Sequence, residues 1–170
     1  MDKKRLRAEV RLLKRVVISE EDMEWARKVV DRLLESDLDD LDRYAYETAL
    51  VVIYCRPFSG NERKTSDKIG DLPDKSRKTF NDLERKVHDR VLKNYRNKLF
   101  AHSDSDAHGV TIGIHEVGGA KLAVPTKWAY KPMLSQADLQ TLKKCIEKVS
   151  EYLLEEHWRI QSFLPEGHHT

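Results

Sequence analysis

Arg96, Asn97 and His102 stand close together in the stretch YRNKLFAHSD, residues 95–104. Their side chains are the types that phosphate chemistry needs. Arginine offers a planar, permanently charged fork that matches phosphate oxygens. Asparagine can hold a phosphate oxygen or a ring nitrogen. Histidine, with an ordinary pKa of about 6.5, takes or gives a proton near neutral pH. The same residues also suit a plain helix end, where a solvated histidine sits well at the negative pole of the dipole. On an ideal helix, positions 96 and 102 are about 120° apart around the axis and about 9 Å apart along it. A straight helix therefore does not stack them. The reach of the arginine, unwinding of the helix end, or a second chain across a twofold axis would bring them together.

The elements that must position these residues read mostly as helices. Leu6, Val10, Leu13 and Val17 form the apolar stripe of a first helix. SEED, residues 19–22, has the pattern of a cap opening a second helix along Met23, Ala26, Val30, Leu33 and Leu34. The acidic run ESDLDDLD breaks it and supplies a new cap at Asp39 or Asp40. A third helix runs through YAYETALVVIYCR to Pro57, and its apolar end, residues 49–55, marks it as the central, most buried one. Residues 57–74 form a long polar loop. A fourth helix is expected from about Lys75 to His102, buried along Phe80, Leu83, Val87, Val91, Tyr95 and Leu99. Two short alternating stretches around Gly118-Gly119 predict a hairpin. SQAD, residues 135–138, opens a last helix on Leu139, Leu142, Ile146, Val149, Leu153 and Trp158.

The expected architecture is mainly all-α: an antiparallel bundle of about five helices with a small inserted β-hairpin near 110–125. Residues 1–164 form one domain, with a loop at 57–74, a hairpin insertion at 108–127 and a flexible tail at 165–170.

Charge is distributed unevenly along the chain. Residues 1–15 carry seven Lys/Arg against two acids, residues 74–98 carry nine against four, and residues 19–47 carry eleven acids against four bases. Such a chain can present a basic face despite a net charge of only +2. It can equally pair its basic helices with its acidic one. The longest apolar run, ALVVIYC, falls well short of the ~20 residues a membrane span needs, so no membrane partner is expected. Cys55 and Cys145 sit in apolar settings and read as buried free thiols of a reducing, cytoplasmic compartment.

RNKLFAH resembles the Arg-polar-x(3–5)-His signature of the HEPN superfamily of small helical bundles, and YRNKLFAHSD looks most like its abortive-infection branch. YCRPFSG, residues 54–60, is similar to that branch as well. The resemblance implies a metal-independent endoribonuclease acting as a homodimer on RNA, in a toxin–antitoxin or phage-defence setting, with an antitoxin protein as a possible partner. It implies that Arg96 binds the scissile phosphate, that His102 is the general base or acid, and that Asn97 positions the phosphate or His102. Lys98, Arg56 and Asp104 are the candidate substrate-binding residues around them. Some toxin members carry a modifiable tyrosine two residues after the histidine. Here Asp104 stands at that position, which puts such regulation in doubt. Asp104 could accept a hydrogen bond from His102 or cap the turn.

Other chemistries find less support. His102, Asp104, Asp106, His108 and His115 are possible ligands, but their spacing matches no ordered metal motif. No phosphate-cradling or dinucleotide fingerprint is present, so no cofactor is expected. The alternative class is a HEPN-like module that binds RNA or nucleotide without cutting it, or a dimeric interaction module.

Overall fold

Two of the expected helices are one. In the computed structural model, which describes residues 3–35, 37–59, 70–96, 111–127, 132–164 and 167, α1 runs unbroken over Lys3–Glu35. Ser19 lies inside it, buried, and caps nothing. No glycine or proline interrupts the segment. Continuing the helix lines up Val16, Met23, Ala26, Val30 and Leu33 on one buried stripe. A cap contributes about 1 kcal/mol, whereas burying each large apolar side chain contributes about 1.5–3 kcal/mol, so burial wins. The stripe passes through Val16 and leaves Val17 47% exposed.

α2 spans Asp40–Cys55, capped by the Asp39 carboxylate, which accepts the Asp42 N–H at 2.8 Å. It folds back along α1 and buries Leu50, Val51, Tyr54 and Cys55. Glu47 is buried with them. One of its oxygens accepts from Arg43 at 3.2 Å and the other accepts the Met133 N–H at 2.7 Å. This carboxylate ties α2 to the chain entering the last helix.

The expected fourth helix starts later than its apolar pattern suggests, and its expected end near His102 lies outside the described residues. Residues 74–77 form a separate 3-10 turn, and α3 spans only Asp82–Arg90. It opens with a reciprocal cap between Asn81 and Glu84, which satisfies two backbone N–H groups at once. The buried face carries Phe80, Glu84, Val87, His88 and Val91, and Leu83 is 60% exposed. Leu99 lies outside the described residues.

α4 spans Gln136–Gln161 behind the Ser135–Asp138 capping box. It packs along both α1 and α3. α2, expected to be the central helix, packs mainly on α1, and α1 lies between α2 and α4. Ile160 fills the place expected of Trp158, which is 65% exposed. Strands β1, Thr111–Val117, and β2, Ala120–Lys127, pair antiparallel. Gly118 and Gly119 turn between them with φ of 61° and 81°, the left-handed pair that a two-residue hairpin requires. The result is a mainly helical bundle with a small hairpin. No helix among the described residues is long and apolar enough to cross a membrane.

Candidate functional site

The helix that begins with α3 is not regular on its way to Arg96. Residues Val91–Tyr95 form a π turn, closed by the Arg96 N–H on the Val91 carbonyl. Such a turn inserts an extra residue and swings the next side chains away from the face a regular helix predicts. Arg96 emerges at its end, half-buried. Tyr95 packs against the core, as expected.

The Arg96 guanidinium donates to the Ser59 hydroxyl at 2.7 Å. Ser59 spends its own proton on the Cys55 carbonyl, also at 2.7 Å. Its oxygen is thereby left to accept from arginine, and Arg96 is held at the negative end of the α2 dipole. The stretch from Tyr54 to Ser59 is a hub. Pro57 is buried, and its carbonyl accepts the Leu72 N–H at 2.8 Å. The Arg56 side chain donates to Asp22 on α1 at 3.0 Å. Burial raises the pKa of Asp22, against the pull of Arg56 and Arg15. Arg15 donates to the Gly70 carbonyl at 2.5 Å, so α1, the α2 end and the residues before the 3-10 turn at 74–77 converge here.

Of the residues read from the sequence, Arg96 and Arg56 therefore lie on the two sides of one short turn, Arg56–Phe58 with Ser59. Asn97, Lys98, His102 and Asp104 lie outside the described residues, as do His108 and Asp106. His115 is exposed on β1. Among the described residues no group of three His, Cys, Asp or Glu could hold a metal ion. Cys55 and Cys145 are buried and unpaired. Burial pushes both thiols up to about 12, with the Arg96 charge opposing at Cys55, so neither is a nucleophile at neutral pH.

His88 is a buried polar residue that the sequence did not single out. It is 2% exposed, with its ring edge-on to Phe58 at 4.7 Å, Phe80 at 5.5 Å and Tyr54 at 5.7 Å. Nδ1 is 2.7 Å from the Tyr54 hydroxyl and Nε2 is 3.4 Å from an Arg77 guanidinium nitrogen. Arginine can only donate, so Nε2 accepts and the Nδ1 proton points at Tyr54. Burial and then the Arg77 charge hold the imidazole down to about 4, which keeps it neutral. It floors a cleft of about 350 Å³ bordered by Asp74, Arg77, Arg85 and Asp89. Both ring nitrogens are satisfied, so the residue acts as a polar pin between α2 and α3. Its spacing from Glu84 and Val91, on the buried face, was the signal available in the sequence.

Compared with protein-family models, curated proteins and solved structures, the chain matches none.

Proposed function

We propose that the chain is a metal-independent endoribonuclease of the HEPN type, active in the cytoplasm as a homodimer, in a toxin–antitoxin or phage-defence setting. The observation that supports it most is the Arg96–Ser59 contact. It joins the two stretches, YRNKLFAHSD and YCRPFSG, that each resemble the same family branch. In this reading His102 takes the proton of a ribose 2′-hydroxyl, whose oxygen attacks the adjacent phosphorus. The bond to the 5′-oxygen breaks, and that oxygen leaves with a proton. The products are a 2′,3′-cyclic phosphate and a 5′-hydroxyl. Arg96 stabilises the charge that develops on the phosphorane, a task suited to a fixed cation in a partly dry site. Asn97 orients the phosphate or His102. Two buried free thiols fit the reducing compartment.

One observation favours a second reading. Arg96 already serves the protein itself through Ser59, which suits a module that binds RNA or nucleotide without cleaving it. An RNA cleavage assay with chelator present, on wild type, Arg96→Ala and His102→Ala, separates the two. Cyclic-phosphate ends from wild type alone support the nuclease. Binding by wild type with no cleavage supports the module.

A further inference from the structure

The acidic stretch of α1 and α2 reaches Arg15 through Asp22 but does not reach Arg7, Arg11 or Lys14, nearer the start of α1. Five of its eleven acids pair elsewhere: Asp22 with Arg56, Asp31 with Lys143, Glu24 with Lys28, Glu47 with Arg43, and Glu20 faces His157. Arg7, Arg11 and Lys14 are exposed, and none of them has an ion-pair or hydrogen-bond partner among the described residues. At 3.6 residues per turn, these three cations, Ile18, Asp22 and Trp25 fall within about 80° of one another on one face of α1, which runs about 27 Å from Arg7 to Trp25. Ile18 is 44% and Trp25 52% exposed, and the Lys28 ammonium lies 4.6 Å from the centre of the indole. At the edge of this face Asp22 holds Arg56, three residues before the serine that holds Arg96.

We infer that this face of α1 is a binding track for single-stranded RNA, leading the strand past Arg56 toward Arg96. The cations would neutralise successive phosphates and release their counterions. The exposed indole would stack a base without regard to its identity. Arg7, Arg11 and Lys14 are spaced by about 6 and 4.5 Å along the axis, comparable to the step between phosphates of a stacked strand. The inference rests on the RNA reading proposed above, but it concerns capture of the strand and not cleavage.

The test uses a fluorescent 2′-O-methyl oligouridylate, which lacks the attacking hydroxyl and survives any nuclease activity of this kind. Its anisotropy is followed over a salt series with the full chain. Arg7→Glu/Arg11→Glu/Lys14→Glu is expected to weaken binding at least tenfold and to flatten the log–log salt slope by about two, since each single-strand phosphate contact carries a slope near 0.7. Trp25→Ala is expected to weaken binding roughly tenfold with the slope unchanged. Lys121→Glu, on the hairpin, is the charge control. Wild-type affinity in the triple variant, or equal losses in the control, overturns the track. Polyglutamate displacing the RNA at matched charge overturns the choice of RNA in favour of an acidic peptide. Loss of binding in the triple variant of a protein that cleaves nothing leaves the track standing and removes the nuclease. Cleavage with undiminished binding in that variant does the reverse.

Discussion

Arg96 and Ser59 are 37 residues apart in the chain and 2.7 Å apart in space, and their hydrogen bond joins the π turn after α3 to the end of α2. A serine with one proton can donate once. By donating to the Cys55 carbonyl it fixes which of its lone pairs faces arginine, so the guanidinium is aimed as well as held.

Ser59→Ala removes both bonds. A hydrogen bond to a charged group contributes about 1.5–3 kcal/mol when its loss leaves a buried partner unmet. The half-buried site and the reach of Arg96 to other groups bring the expected destabilisation to about 1 kcal/mol, read by denaturant melts. If the proposed chemistry holds, the cleavage rate falls roughly tenfold with RNA affinity kept, because aim and not charge is lost. Equal loss of affinity and rate would instead mark Ser59 as part of the RNA contact surface.

His88 sets a pH dependence. Its folded pKa of about 4 lies below the ordinary value of 6.5, so the unfolded chain binds the proton first. Stability from this group is complete above pH 6.5 and is lost as pH falls toward 4. Between pH 7.5 and pH 5 the loss is about 2 kcal/mol, at 1.36 kcal/mol per unit. His88→Gln is expected to be less stable overall but nearly flat over that range. A variant with the same slope as wild type would remove His88 as the cause.

Ser19 distinguishes a continuous α1 from two helices. As a helix cap, Ser19→Ala would cost about 1 kcal/mol. Buried in mid-helix with a hydroxyl that has no partner among the described residues, the same change is expected to stabilise by about 0.5 kcal/mol, through helix propensity and relief of an unmet polar group. The sign of the shift in melting midpoint decides it.

Glu47 is fully buried between Arg43 and the Met133 amide. Glu47→Ala strands both donors and is expected to cost about 3–5 kcal/mol. Glu47→Gln keeps an acceptor for the amide and is expected to lose less than half of that. Amide exchange at Met133 checks the mechanism: its protection should fall in the alanine variant and survive in the glutamine one.

Features that depend on neighbours within about a turn are legible in the amino-acid order. The Ser135 cap, the Gly118-Gly119 turn and a cap at Asp39 or Asp40 are read directly, because their partners are at most three residues away. The apolar stripe of α4 comes from spacing alone, and the buried end of α2 from its apolar run. Where two local signals compete, spacing does not rank them. SEED looks like a helix start, yet α1 passes through it because α4 offers a continuous face to bury. Asn81 and Glu84 form a better start than Lys75, and packing then buries His88 and exposes Leu83. Packing in three dimensions settles that Tyr54 meets His88, that Arg56 meets Asp22 and that Ser59 meets Arg96. Those pairings join separate elements, and their geometry is set by how whole helices pack, which no short window of sequence contains.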